Sequence, residues 1–282
     1  MTLVATGDLV AAAKRAGRGV AAFNVITLEH AEAIVAGAEA ASCPVILQIS
    51  QNAVKFHGGR LLPIARAALA VAEPAAVEVA LHLDHVEDSA LLRQAADAGF
   101  SSAMFDAGAL PYEENVTTTR AAAEWAHQNG LWLDAELGYV GGKPGAMASA
   151  HAAGVRTDPD EAVAFVAATG VDGLAVAVGS SHAMTSRSAA LDTDLISRLA
   201  NVLDVPLVLH GSSGVPDDEI RRAISAGVVK VNVGTALNIA MTGAVRAALA
   251  ADESLVDPRK YLAPARDAIA ETVRALSAVI SR

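Results

Sequence analysis

The chain has 282 residues, 53% of them hydrophobic and 18% charged, and 31 acidic against 21 basic side chains give a formal net charge of −10. That apolar fraction supports a large core and excludes a disordered chain, while the acidic balance excludes a general nucleic-acid binder, which needs clustered Lys and Arg. A single cysteine, Cys43, excludes an intramolecular disulfide and a thiolate metal cluster and fits a reducing, cytoplasmic setting.

The first residues lack the basic-then-apolar pattern of a secretory signal, and no stretch of about 18 uncharged apolar residues offers a membrane span. Along the chain a unit recurs: an apolar run, a polar cluster, an amphipathic Ala-rich stretch, then a glycine. Runs 20–25 and 45–50 come first, with a helical pattern over 29–41 between them. Runs 79–84 and 101–106 flank a helical pattern over 88–98 that stops at Gly99, and a helix over 115–128, stopped at Gly130, leads to the run 132–137. The longest irregular stretch, 138–157, follows, rich in Gly, Ala and Ser and of a length that more often forms a functional lid than a packing element. Asp158-Pro159-Asp160-Glu161 then starts a helix sharply, with Asp158 as cap, Pro159 at the first helical position and Glu161 completing a capping box. Gly170 ends that helix before the run 173–178; runs 206–210 and 228–233 follow, separated by a helix over 217–226 that stops at Gly227. The tail, 235–282, exceeds one closing helix and breaks at Asp257-Pro258-Arg259.

Near-continuous apolar runs are what parallel strands covered on both faces require. Eight of them alternating with helices predict an α/β protein, a (β/α)8 TIM barrel with extra C-terminal helices. No linker composition divides the chain, so the reading is one domain over 1–282. A doubly wound open sheet is the alternative, but the Gly-rich turn it usually carries does not follow Phe23-Asn24-Val25.

In such a barrel chemistry sits at the C-terminal ends of the strands, and polar residues gather there. Four of the eight histidines, His82, His85, His182 and His210, lie at these ends, with Asp84, Asp106, Asp134, Glu136 and Asn232. His85, His182 and His210 can point at one spot, and three neutral imidazoles with an open position make a catalytic zinc site. The competing reading makes each a hydrogen-bonded rim residue. Strict alternation along a strand forbids both Asp84 and His85 from facing inward, so Asp84 is assigned to the strand and His85 to the start of the loop. His82, in phase with Asp84, supports the site from deeper in the barrel. The segments His210-Gly211-Ser212-Ser213-Gly214 and Asn232-Val233-Gly234-Thr235-Ala236 follow strands seven and eight, the usual phosphate site of these barrels, where small residues let backbone N–H groups approach an anion. The competing reading there is an ordinary Gly/Ser turn.

Taken in order, Ala22-Phe23-Asn24, Leu81-His82-Leu83-Asp84-His85, Ala135-Glu136-Leu137-Gly138, Gly141-Gly142, Thr157-Asp158-Pro159, His210-Gly211, Lys230-Val231-Asn232 and Asp257-Pro258-Arg259 carry a family resemblance. The chain resembles, almost end to end, the class II metal-dependent ketose-bisphosphate aldolases, the fructose- and tagatose-1,6-bisphosphate enzymes, and looks closer to the tagatose-type branch. The resemblance implies a lyase of carbohydrate metabolism that splits a ketose 1,6-bisphosphate reversibly into dihydroxyacetone phosphate and an aldehyde phosphate through a zinc-stabilised enediolate. By it, His85, His182 and His210 would hold one catalytic Zn²⁺ per subunit, and Asp84 would exchange the proton at the aldehyde-derived oxygen. Gly211, Ser212, Ser213, Asn232, Val233, Gly234 and Thr235, with the backbone at Ala183, would hold the dihydroxyacetone-phosphate half. Asn24 and Ser50 would also contact substrate. Asp106 and Glu136, with His82, would support the metal region. Arg259 would bind the far phosphate in a neighbouring subunit, which implies a homodimer or homotetramer. Many members also hold a monovalent cation near the phosphate.

One departure stands out. The family's loop after strand five carries acidic residues just past its Gly-Gly pair, one of them proposed to shuttle a proton, yet here Gly141-Gly142-Lys143-Pro144 meets no carboxylate before Asp158. This keeps open an accessory or divergent barrel that needs a partner chain or takes another substrate. A metal-dependent hydrolase is a further alternative, although only one acid, Asp106, follows strand four. Lys230, the only strand-borne lysine, could serve as the Schiff-base nucleophile of a class I aldolase, but the three histidines would then have no role.

Overall fold

The computed structural model describes residues 2–137, 156–180 and 185–281. Eight parallel strands close on themselves in sequence order. They are β1 (Val20–Asn24), β2 (Val45–Ser50), β3 (Val79–Val86), β4 (Ser102–Phe105), β5 (Trp132–Glu136), β6 (Gly173–Ala175), β7 (Leu207–Leu209) and β8 (Val228–Val233). The ring closes where Ala22 pairs with Asn232. A parallel barrel is covered outside by its crossover helices and filled inside by side chains, so both faces of each strand are buried. The burial along β1 to β8 follows this rule, with Phe23, Phe105, Leu47 and Leu83 turned outward into the main core. The expected (β/α)8 barrel is therefore the observed architecture.

Inside the barrel the side chains form layers. At the bottom a small separate core of Val20, Ala22, Ile46 and Ala80 packs with Trp132 and is plugged from below by Leu9 and Val10 of the helix Thr6–Ala16. Two positions beyond Ala22, Ile46 and Ala80 on the same strand faces come the polar Asn24, Gln48 and His82. The register places Gln48 beside His82, His82 beside Ser102 and Ser50 beside Asp84. The cylinder thus changes from apolar to polar along its axis toward the C-terminal ends.

Several element boundaries differ from expectation. The pattern over 88–98 is two short helices, Ser89–Leu92 and Ala95–Ala98, separated at Arg93 and Gln94. β6 and β7 are three residues each; after β7 the chain turns at Gly211 into the cavity wall. The helix expected over 115–128 begins at Tyr112, directly after Pro111. The sharp start at Asp158 holds, but Asp158 makes the cap itself: its Oδ1 accepts from Asp160 N at 2.9 Å and Glu161 N at 3.1 Å, while Glu161 Oε2 has no partner. Of the expected lid, 138–157, only Arg156 and Thr157 are among the described residues.

The tail is two helices, Thr235–Ala251 and Pro258–Ile280, broken where Asp257 caps Arg259 N at 3.0 Å. The second packs on the helix Leu28–Ala41, and Gly37 permits the approach, since a Cβ there would meet Ala270 O at 2.4 Å.

Candidate active site

β3 provides the centre of the site by breaking its own alternation. The ladder between β3 and β4 shifts register between Leu83 and Val86, and His85 takes a left-handed backbone with φ 48°. A bulge of this kind re-aims a side chain. The expectation that His85 starts a loop is thereby corrected: it lies within β3, and the bulge lets Asp84 and His85 serve the same end of the barrel. A left-handed conformation at a non-glycine residue costs roughly 1–2 kcal/mol, which the surrounding contacts must offset.

His85 Nε2 lies 3.1 Å from His210 Nδ1, with the two rings nearly perpendicular at 85°. Asp106 Oδ2 sits 3.0 Å from His85 Nδ1, and its Oδ1 accepts from Gly108 N at 3.1 Å. A carboxylate on one ring nitrogen holds the proton there and leaves the other nitrogen's lone pair for a metal. Asp84 is buried beside this pair, and Asn232 Nδ2 reaches His210 Nε2 at 3.2 Å and Asp84 Oδ1 at 3.5 Å.

Potential metal-donor atoms of Asp84, His85 and His210 all lie within 4.8 Å of one another, and so do those of His85, Asp106 and Glu136. Two ligands of a tetrahedral ion with bonds of ~2.1 Å sit about 3.4 Å apart, close to the imidazole separation seen here. Burial lowers the His85 pKa, but Asp84, Asp106 and Glu136 outweigh it and raise the group to about 9. The pocket therefore favours positive charge, and its donors fit a divalent metal. His182 and Ala183, expected to complete the ligand and substrate sets, lie outside the described residues.

Below this layer is a second, closed one. Lys230 Nζ is 2.8 Å from Asp134 Oδ2 and 3.1 Å from His82 Nε2, and all three side chains are fully buried. An ammonium group only donates, so His82 Nε2 accepts and its Nδ1–H donates to Ser102 Oγ at 2.8 Å. Ser102 in turn donates to Thr6 Oγ1 at 2.6 Å. Burial, with Lys230 and then His85, holds the His82 pKa well below the usual imidazole range, so it is neutral. Lys230 is thus an interior ion-pair residue of the barrel.

The turns after β7 and β8 form one side of the mouth. Gly211 adopts φ 68° and leads into a single 3-10 turn, Ser212–Gly214. Ser213 Oγ accepts from Ala236 N at 3.0 Å, at the start of the helix Thr235–Ala251. Gly211, Ser213, Asn232, Gly234 and Thr235 line a cavity of about 640 Å³ that also contains Asn24, Ser50, Asp84, His85, Asp106 and His210. Ser212 and Val233 turn their side chains away; Ser212 Oγ is spent on Asn232 O at 2.5 Å. Arg259 does not line this cavity, and its side chain is 89% exposed and paired with Asp257 at 2.8 Å. His30, His57 and His127 lie on or beside helices, as expected, and His151 is outside the described residues.

Gln48 and Lys55 are among the lining residues that the sequence does not single out, whereas Gln51, next to Ser50, falls on the pocket wall expected there. Gln48 donates to Asn24 Oδ1 at 2.5 Å, and its Oε1 is buried without a partner. It is two residues from Ser50 on the same strand face, so period-two counting would have found it. Lys55 belongs to a short helix, Gln51–Phe56, too brief for a periodic signal.

The family model for class-II fructose-bisphosphate aldolase matches residues 4–281. The chain is 40% identical over 275 residues to the fructose-bisphosphate aldolase of Geobacillus stearothermophilus, covering 97% of this chain and 95% of that one. It is 38% identical over 276 residues to that of Staphylococcus aureus, covering 97% and 96%. Among solved structures, the YdjI aldolase from Escherichia coli K12 superposes with a TM-score of 0.81 at 29% identity, covering 99% of this chain and 97% of that one. The fructose-bisphosphate aldolase of Campylobacter jejuni, at 22% identity and a TM-score of 0.83 over 99% of this chain and 95% of that one, shares the fold. With a family match that spans nearly every residue and carries the strand ends with it, the chain belongs to the class-II fructose-bisphosphate aldolases, metal-dependent lyases of phosphorylated sugars.

Proposed function

We propose that this chain cleaves a ketose 1,6-bisphosphate of the fructose or tagatose type, reversibly, to dihydroxyacetone phosphate and an aldehyde phosphate. His85, His210 and His182 would hold one Zn²⁺ per subunit. The observation that supports this most directly is the pair of imidazole nitrogens 3.1 Å apart, with the carboxylate of Asp84 buried beside them and an open cavity above. When bound, the ion supplies Lewis-acid stabilisation of the negative charge that develops as the C3–C4 bond breaks, an effect of several kcal/mol.

The chain's own groups do the rest. Asp84 takes the proton from the C4 hydroxyl as that oxygen becomes the aldehyde carbonyl, and returns it in the condensation direction. Asp106 fixes the tautomer and orientation of His85, and Glu136 adds negative charge to the same region. Gly211, Ser213, Gly234 and Thr235, with the main chain of Ser212 and Val233, receive the phosphate of the dihydroxyacetone half near Asn232. Asn24 and Ser50 contact the other half. Arg259, outside its own cavity, reaches the site of a neighbouring subunit in a homodimer or homotetramer. The setting is cytoplasmic; among the described residues no helix is long and apolar enough to cross a membrane.

A second reading is supported by the run from Gly138 to Thr157, which contains no carboxylate: a barrel that needs a partner chain, or another substrate, for full turnover. One assay decides between them. Purified protein with quantified zinc is given fructose and tagatose bisphosphates, with and without chelator. Cleavage that chelation abolishes and Zn²⁺ restores supports the first reading, and the preferred sugar assigns the branch. Full activity in chelator overturns the metal route, and activity only with an added partner chain supports the second reading.

A further inference from the structure

We propose that Lys55 binds the substrate's far phosphate, on the β2 side of the cavity mouth. The inference rests on the substrate being a ketose bisphosphate. Such a molecule carries two phosphate groups, each of about −1.5 to −2 charge near pH 7. The turns after β7 and β8 accommodate one of them. The other falls elsewhere in the same cavity of about 640 Å³, whose walls also bear the carboxylates of Asp84, Glu87 and Asp106. A second phosphate near three carboxylates requires a local cation. Lys55 is the only Lys or Arg among the described residues that line this cavity.

Its surroundings leave it available. The Lys55 ammonium makes no hydrogen bond or ion pair with a described residue; its backbone carbonyl accepts from Gly58 N at 3.1 Å. Glu87, a carboxylate of the same cavity wall, is engaged by Gln51: Gln51 Nε2 reaches Glu87 Oε2 at 3.3 Å, and Gln51 Oε1 accepts from Glu87 N at 3.0 Å and Asp88 N at 3.1 Å. These bonds also tie the Gln51–Phe56 helix to the end of β3, so the wall that carries Lys55 has a fixed place beside His85. Ser50 Oγ accepts from Ala53 N at 3.1 Å, which leaves its O–H to donate, and Asn52 lines the same space. A hydroxyl, an amide and an ammonium thus come from six consecutive residues, a donor set suited to phosphate oxygens. Arg259 would add to this from a second subunit, whereas Lys55 is supplied by the chain that owns the cavity.

The test compares wild type, Lys55→Met and Lys55→Arg, all zinc-loaded, on fructose 1,6-bisphosphate and on fructose 1-phosphate, which lacks the far phosphate. Lys55→Met is expected to lose about tenfold more kcat/KM on the bisphosphate than on the monophosphate, chiefly through KM, and Lys55→Arg to recover most of that loss. Equal losses on both substrates, or none on either, overturn the role of Lys55. A wild-type enzyme that cleaves neither these substrates nor tagatose 1,6-bisphosphate overturns the substrate reading, and the role of Lys55 with it.

Discussion

The barrel interior holds two polar layers built from the same strands, and they behave in opposite ways. β3 contributes His82 to the lower layer and Asp84 with His85 to the upper; β8 contributes Lys230 and Asn232; β5 contributes Asp134 and Glu136. Each layer therefore has imidazole and carboxylate at similar distances. In the lower layer every side chain is fully buried, and a chain of bonds from Lys230 through His82 and Ser102 to Thr6 occupies the donors. In the upper layer the His85 and Asp106 side chains are 28% and 21% exposed and open to a cavity. Residue type does not separate structural from catalytic polarity here. Access does: the lower groups are sealed among themselves at zero exposure, whereas the upper ones border a cavity that a ligand can enter.

Substitutions that act on one layer and spare the other would sharpen this contrast, and the largest effect is expected at Asp84. Asp84→Ala should lower kcat by about 10³- to 10⁴-fold, the upper range for loss of a positioned acid–base group. Zinc content should stay near one ion per subunit if the proposed ligands are His85, His182 and His210 and Asp84 serves proton transfer. Stoichiometric zinc loss in that variant would contradict the assignment.

Lys230→Met addresses the lower layer. Removing one member of a buried pair leaves Asp134 uncompensated and should cost about 3–5 kcal/mol, read by denaturant unfolding. The double variant Lys230→Met, Asp134→Leu should recover much of it, as replacing both partners by apolar groups commonly does. A single variant as stable as wild type would show that the layer does not hold the barrel interior together. Asp106→Asn returns to the upper layer with a smaller consequence. Without its carboxylate on His85 Nδ1, zinc affinity should fall about 10- to 100-fold in a competition titration. An unchanged affinity would leave Asp106 without a part in metal binding.

The division between the layers was only partly legible from the chain. The barrel was readable because eight apolar runs alternate with helical patterns, and a closed parallel sheet needs no longer-range information to be inferred. The polar strand ends are readable for the same reason, since barrel topology brings the ends of β3, β7 and β8, with Asp84, His210 and Asn232, to one place. Lys230 resisted: its position on the inner face was clear, but whether it served as nucleophile or ion-pair partner depended on Asp134 and His82, from strands distant in sequence. His85 was misplaced by one rule because its left-handed backbone is set by the bulge against β4 and not by a glycine. Lys55 gives no sequence signal because the helix that carries it is six residues long.

The smallest expected effect is one of pH, and it sets His82 and His85 against each other directly. In metal-free protein the His85 pKa is about 9, above its ordinary 6.5. The folded state then binds this proton more tightly than the unfolded chain, so His85 contributes stability that is complete below about pH 6.5 and disappears as pH rises through about 9. His82 has the reverse sign. Its folded pKa lies well below 6.5, so its contribution is present above pH 6.5 and declines as the unfolded chain takes up a proton below it. Thermal melts in chelator from pH 5 to pH 9.5 should separate the two: His85→Asn should remove a fall in Tm on the alkaline side, and His82→Asn a fall on the acid side. Identical profiles for both variants would mean that the layers are not electrostatically distinct, whatever their hydrogen bonds.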